Sequence, residues 1–451
     1  MTAHVESAPA SDSGEQAARP PATAHTAPHT PSTAGDSPRR VIVVITEDHY
    51  VASPQGVFTR FGLDYDYWTQ YLRIFDEVRP LARVQTVESA DPSWRRSDGP
   101  RVNFAPIPFY QGIASLAKSL SRVRRAVRDG LCCDAPESDN TRYYYAMRGS
   151  GPLCVLAWRA LRSRGRPFAR QIVGHDREGV HMGTNLRPAF LRDWIARGLY
   201  SVSRRMVREA SAVAYVSAHL REAYPENPGT PVFFFSDVNL NAALITRPRR
   251  ADEFAADTLR IVSVGRMNPE KGYDVLLDAV ERLLAEGEAR WTLEVIGVGP
   301  QLDGLRARVA TGPLARRVRF SGWVPLGPEL YQRLDAADLY VLPSLTEGTP
   351  RALLEAMARG LPALASNVGG VPALVHPDAL LPAGDAGAWA AALRGLIGRR
   401  DELSRRSSAG FELAMRFHPD VMHARKREYW TALREITDRR RAPAVQRRGS
   451  A

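Results

Sequence analysis

Lysine is nearly absent from this chain. Of its 61 basic residues only Lys118, Lys271 and Lys426 are lysines, so a lysine inside a motif stands out against an arginine background. Cysteine is as scarce. Cys132, Cys133 and Cys154 form an odd set with no metal-ligand spacing, which excludes a disulfide framework and reads as reduced, structural thiols. No run approaches 18 uninterrupted apolar residues, so no membrane-spanning helix is expected. Residues 1–38 contain Ala, Pro, Ser, Thr and His with hardly any large apolar side chain. They offer too little apolar surface to offset the entropy of ordering and are expected to be disordered. Lacking a basic start and an apolar stretch, they do not read as a secretory signal, and the expected location is cytoplasmic.

Arginine and an α/β alternation are what the sequence has in abundance. The net charge is +12. The slightly acidic N-terminal tail and the basic 439–451 tail partly cancel, so most of the excess sits on the body. Such a field attracts anionic nucleotides, nucleic acid or anionic lipid. Nucleic acid is disfavoured because no recognition motif accompanies the charge. A chain of 451 residues, 44% of them hydrophobic, suffices for two sizeable cores. Arg39–Thr46 reads as the first ordered strand. Further strands are expected at Ala82–Val87, Cys154–Ala157 if not helical, Gln171–Val173, Ala212–Val216 and Val232–Phe235, with helices between them. That alternation predicts an α/β protein built from doubly wound parallel sheets. A first domain is expected over 39–240 and a second over 259–397. A helix is expected over 401–436, and the basic tail 439–451 should be solvated.

The chemistry concentrates in the second domain. Asp338–Pro343 reads as a buried strand, Thr349 as a helix cap and Pro350 as the first helical residue, with the helix ending at Gly360. This places Glu347 in a strand-to-helix loop and Glu355 in the second helical turn, near the carboxyl end of a sheet, where open α/β folds bind ligands. The alternative is a solvated Arg351–Glu355 pair. Ile261–Val264 leads into a loop that carries Gly265, Arg266, Lys271 and Gly272, a cationic loop suited to a diphosphate. Trp291–Ile296 runs into Gly297-Val-Gly299-Pro300. Leu302 stands where a dinucleotide fingerprint needs its third glycine, so a nicotinamide site is disfavoured. Pro362–Ser366 is followed by Gly369-Gly370, a pair that lets backbone N–H groups approach an anion. Backbone N–H groups at Gly348 and Thr349 and the positive end of the helix are further candidate donors.

Taken in order, Gly265-Arg266, Glu270-Lys271-Gly272, Gly297-x-Gly299-Pro300, Phe320-Ser-Gly322, Glu347-Gly-Thr-Pro with Glu355, and Asn367-Val-Gly-Gly-Val resemble the C-terminal half of family 4 retaining glycosyltransferases of GT-B fold. The resemblance spans about 258 to 376. Phe58–Val84 is similar to the N-terminal half of exopolysaccharide-type members. The resemblance implies two Rossmann-like domains facing a cleft and a nucleotide-sugar donor without a tightly bound metal. It also implies that Glu355 accepts from ribose hydroxyls, that Glu347 binds the donor sugar and that the last helix crosses back onto the first domain. The acceptor would be a hydroxyl on a polysaccharide, glycolipid or secondary metabolite. A noncatalytic sugar- or nucleotide-binding protein that kept the cleft is the alternative.

Three features of the first domain complete the reading. His175 follows a probable strand and faces the expected cleft, where an imidazole can contact sugar or acceptor; a strand-end histidine can equally be structural. Asp64-Tyr-Asp66 has the spacing of a metal-binding Asp-x-Asp but follows no apolar strand, and no metal is expected there. Residues 187–208 interleave Arg192, Arg197, Arg204 and Arg205 with Phe190, Leu191, Trp194, Ile195, Leu199 and Tyr200. A core-facing helix with a solvated arginine face is the favoured reading, and peripheral membrane contact is the other.

Overall fold

The computed structural model describes residues 37–441 apart from 61–62, 133–139, 150, 175–188, 237–239, 241 and 256. His175, residues 1–36 of the tail expected to be disordered and residues 442–451 lie outside the described residues.

The first sheet contains β1 (Arg39–Ser53), β2 (Gly56–Thr59), β3 (Glu77–Thr86), β4 (Arg95–Arg96), β5 (Ala105–Pro108), β6 (Thr141–Arg148), β7 (Ala169–Ile172), β8 (Ala212–Tyr215) and β9 (Val232–Phe234). Parallel pairing runs β5-β3-β1-β6-β7-β8-β9, while β2 and β4 join the far end of β1 in antiparallel fashion. The first strand is much longer than its apolar run. Beyond Ile45 it bulges and resumes at His49 in register with Arg83, so polar residues that read as a loop continue the ladder instead. The segment around Cys154 is not a strand.

Side chains along β1 alternate between two cores, as the period of two requires. Val43 and Ile45 face helices α2 (Gly112–Leu131), α3 (Pro152–Ser163), α4 (Ala189–Glu209) and α5 (Ala218–Ala223). Ile42 and Val44 face the aromatic cluster of Trp68, Tyr71 and Phe75, which lies on and after the short helix α1 (Tyr65–Thr69). Asp64 caps that helix by accepting from the Tyr67 N–H at 3.2 Å and pairs with Arg95, so its acid has a structural occupation.

The second sheet has six parallel strands among the described residues, β10 (Leu259–Val264), β11 (Trp291–Ile296), β12 (Val318–Gly322), β13 (Leu339–Leu342), β14 (Ala363–Ser366) and β15 (Leu380–Leu381). Their order is β12-β11-β10-β13-β14-β15. The chain therefore winds outward in one direction from β10 to β12 and in the other from β13 to β15. Between β10 and β13 lies a topological switch point, the crevice where open α/β sheets bind ligands. Helices α6 (Tyr273–Ala285), α7 (Leu302–Val309), α8 (Pro328–Ala336), α9 (Arg351–Ala358) and α10 (Ala386–Leu396) complete this half.

The segment expected as one helix over 401–436 is two, α11 (Arg400–Met415) and α12 (Pro419–Arg441), because Pro419 cannot continue the first and starts the second. Met422, Tyr429, Trp430 and Leu433 of α12 are buried in the aromatic core of the first half, where Trp430 stacks on Tyr71 at 4.1 Å.

Candidate functional site

The loops after β10 and β13 flank the switch point of the second sheet, and they carry the cation and the acid that the sequence singled out. Lys271 Nζ lies 2.5 Å from Glu347 Oε1, joining one loop to the other. The Ser344 hydroxyl donates to the same carboxylate oxygen at 2.7 Å, and the Leu345 N–H donates to the Glu270 carbonyl at 2.7 Å. The Glu347 side chain is only 8% exposed and that of Lys271 24%, so each is the principal neutralising partner of the other. Arg266 is exposed on the same loop as Lys271.

Glycines fix how closely these loops approach. Gly369 has φ of +50°, and a Cβ there would lie 1.8 Å from the Glu347 carbonyl oxygen. A Cβ on Gly297 would lie 1.9 Å from the Gly265 carbonyl oxygen. The N–H groups of these glycines are largely committed. Gly297 donates to Gly322 at 2.7 Å and Gly370 to Glu347 at 3.4 Å, while Gly265 donates to Ile296 at 3.0 Å. The expectation that Gly369 and Gly370 bring N–H groups to an anion is thus replaced, for Gly370, by a role in seating the loop that carries Glu347. Gly299 packs in the same way, against the Met267 backbone.

Helix α9 begins one residue later than expected. Pro350 is its N-cap, and Thr349 makes no side-chain capping bond there. Gly348 is exposed on the loop before it. Glu355, in the second turn, is 7% exposed and has no hydrogen-bond donor among the described residues. The solvated Arg351–Glu355 pair is not what forms. Burial pushes the Glu355 carboxyl up to about 7, only partly held back by the charge of Arg351. The ionised Glu355 carboxylate therefore has acceptor capacity that the described residues do not use. Beneath the loops, Tyr340 donates to the Val264 carbonyl at 3.2 Å. Burial pushes the Tyr273 phenol up to about 12, so it stays neutral beside Glu347.

Sequence reasoning missed two parts of this region. Ser344 carries no motif and is recognisable only by its place two residues beyond the end of β13. Val298, Leu326, Trp323 and Leu345 expose apolar surface on the loops after β11, β12 and β13, Trp323 being 70% exposed. A tryptophan after the Phe320-Ser-Gly322 motif was the available signal.

The first sheet has its own switch point, between β1 and β6, and there the chain supplies an anion itself. Glu47 Oε1 accepts from the Cys154 N–H at 3.0 Å, at the start of α3, and the Arg83 guanidinium donates to the Glu47 carbonyl. Burial pushes the Glu47 carboxyl up, opposed by the N–H groups of Cys154 and Leu153 and by the charges of Arg83 and Arg170. The neighbouring Asp48 pairs with Arg148 at 2.9 Å. A carboxylate from the first strand thus occupies the N-terminal end of α3.

Helix α4 departs from the favoured reading at its start. Its core face consists of Ala196, Ser203, Met206 and Val207, but Phe190 and Trp194 are both 72% exposed. They lie one turn apart and ahead of the residues that reach the core.

The comparisons with known proteins follow the same division. Residues 258–399 match the family described as Glycosyl transferases group 1. That match falls within the second half of the chain, over its six-stranded sheet. Over 144 residues the chain is 40% identical to the amylovoran biosynthesis glycosyltransferase AmsK of Erwinia amylovora, a stretch covering 30% of this chain and 35% of that protein. The chain thus spans about a third of the length of this relative. Sucrose-phosphate synthase from Thermosynechococcus elongatus superposes with a TM-score of 0.60 at 19% identity, covering 88% of this chain and all of the other. Anabaena HepE, solved in complex with UDP, gives 0.59 at 16% identity, covering 87% of this chain and all of the other. The two sheets, each with its helices, form the GT-B fold.

Proposed function

We propose that this protein is a retaining glycosyltransferase that moves a sugar from a nucleotide-sugar donor to a hydroxyl acceptor in bacterial polysaccharide, glycolipid or secondary-metabolite biosynthesis. The observation that carries the reading is Glu355, a buried acceptor without a donor, on the helix that follows the Lys271–Glu347 pair at the switch point of a group 1 glycosyltransferase domain. Transfer builds positive charge at the anomeric carbon and negative charge on the departing diphosphate, so fixed cations at the phosphates lower the barrier. Lys271 and Arg266 take that role, with Gly348 and Thr349 at the start of α9 as neighbouring donors. Glu355 accepts from the ribose hydroxyls, and the apolar rim of Val298 and Trp323 suits a nucleobase face. Glu347, relieved of Lys271 when the diphosphate arrives, keeps the Ser344 hydroxyl and receives hydroxyls of the donor sugar. We assign the phosphate charge to these side chains and not to a tightly bound metal. His175 is kept as a candidate contact to sugar or acceptor on sequence grounds alone.

The proposed setting is the cytoplasmic side of a membrane, touched through the start of α4, where Phe190 and Trp194 are exposed among arginines. No helix among the described residues is long and apolar enough to cross a membrane. A panel of nucleotide sugars tested by calorimetry and by nucleotide release checks the central reading. Heat with turnover is expected for one donor. Heat without turnover across acceptors would mark a binding protein instead.

A further inference from the structure

Helices α2, α3 and α4 lie side by side on one face of the first sheet, and their outward sides carry an excess of cations. On α2, Lys118, Arg122, Arg124, Arg125 and Arg128 are all exposed, as is Arg159 on α3. None of these six has an acidic partner among the described residues, whereas Arg308, Arg333 and Arg405 of the second half each pair with two acids. Four arginines, Arg124, Arg128, Arg159 and Arg164, converge on a groove of about 390 Å³ between α2 and α3, whose floor is made by Val127, Leu156 and Ala160. Arg164 donates to the Ala160 carbonyl at 3.3 Å, while Arg124, Arg128 and Arg159 have no acidic partner among the described residues, so the groove can receive an anion with several oxygens.

We propose that this face seats on an anionic lipid bilayer, with the α2/α3 groove holding a lipid headgroup phosphate and Phe190 and Trp194, at the start of α4, entering the interface as a second point of contact. The inference deepens the membrane contact proposed for α4 and rests on it. Two observations favour lipid over a soluble polyanion. Arginine heads stand above apolar floor atoms, so alkyl stems and acyl or glycerol carbons can pack together. The neighbouring helix also exposes two aromatic side chains, which a nucleic acid backbone would leave in water and a bilayer interface would accept. The charge of the patch is complementary to the negative surface of a cytoplasmic leaflet, where each basic residue adds to binding. An acceptor carried on a lipid would be presented to an enzyme already on its surface.

The test uses the full chain in sedimentation with vesicles of phosphatidylcholine alone and vesicles in which a third of the lipid is phosphatidylglycerol. The chain should sediment with the second and not the first, and added salt should release it. Replacing three cations in R124Q/R128Q/R159Q should lower the partition coefficient roughly 100-fold. The melting temperature and nucleotide release with a soluble acceptor should stay at the parent level. F190S/W194S should weaken partitioning while leaving its salt dependence intact. Unchanged partitioning of the triple variant overturns the proposal. It is also overturned if no vesicle binds while inorganic phosphate raises the melting temperature of the parent but not of the triple variant, because the groove is then a site for a free anion. Duplex DNA displacing the protein from vesicles at equal charge concentration overturns the lipid assignment as well. Vesicle binding as expected, with no nucleotide release from any donor, leaves the surface standing and removes the transferase reading.

Discussion

Lys271 and Glu347 meet across the switch point at 2.5 Å, each from a loop that belongs to a different winding direction of the second sheet. The ammonium is therefore held in place by a carboxylate to which the proposed function gives a second use. If its task is the charge that grows on the leaving diphosphate, its loss should appear mainly in turnover.

Lys271→Ala is expected to lower kcat by on the order of 10²–10³-fold, the range for removing one preorganised donor to developing charge. Lys271→Arg should rescue only part, because a guanidinium fork does not occupy the place of an ammonium. Steady-state kinetics on folded variants checks this, together with the K271A/E347A double variant. Full recovery in the double variant would show that Lys271 merely neutralises Glu347.

Glu355 gives a pH signature. Its carboxyl is raised to about 7 in the fold from an ordinary 4.5. The folded state keeps this proton over that interval while the unfolded chain has lost it. The stabilisation is present below the lower value and fades as pH rises through the upper one. Glu355→Gln should therefore melt higher than the parent above neutral pH, by up to on the order of 3 kcal/mol, and match it near pH 4. Donor affinity should move the other way, rising in the parent as the carboxylate ionises and staying low and flat in the variant. Calorimetric titration across neutral pH decides it. A flat profile in the parent would remove the ribose contact.

Gly369→Ala tests the seating of the Glu347 loop. A left-handed φ costs a non-glycine residue about 1–2 kcal/mol, and the added methyl would meet the Glu347 carbonyl. Turnover should fall by more than the stability loss explains, roughly 10-fold or beyond, as expected when a binding group shifts by about 1 Å. Parent-like turnover with a lowered melting temperature would assign the glycine to folding alone.

Glu47→Ala should destabilise the first half by about 1–2 kcal/mol, the usual loss when a helix start loses its side-chain acceptor. Glu47→Gln retains an acceptor oxygen for the Cys154 N–H and removes a charge that burial disfavours, so its melting temperature should stay close to that of the parent. Denaturant unfolding of both variants separates the two. Equal destabilisation by alanine and glutamine would show that the carboxylate charge, in the field of Arg83 and Arg170, is what the site needs.

The second half was legible because each of its motifs sits where an apolar strand ends and a glycine-bearing loop begins. Arg266, Lys271, Glu347 and Glu355 needed only local periodicity to be placed around one crevice. What their spacing left out is pairwise: that Lys271 is already bound to Glu347, that the glycines press loop against loop, and that Glu355 is buried instead of forming a surface pair with Arg351. The first half resisted for different reasons. Thr46-Glu-Asp-His is polar enough to read as a loop, yet backbone pairing with β3 carries it past a bulge as strand. Pro152–Ser163 is apolar on one side and passes for a buried strand until its length is known. Phe190 and Trp194 fit a core-facing stripe by type, and only packing shows that the core begins a turn later.

Helix α12 has a consequence for synthesis. The aromatic core around Tyr71 and Trp68 is closed by Tyr429, Trp430 and Leu433, which the ribosome adds only after the entire second sheet. At about 5–20 residues per second, the interval between the last strand of the first sheet and Leu433 lasts roughly 10–40 s. During that time the nascent first half presents a bare aromatic surface while the second half is free to fold. The domain made first is completed last, so a translation pause after β9 prolongs the exposure that chaperones must cover.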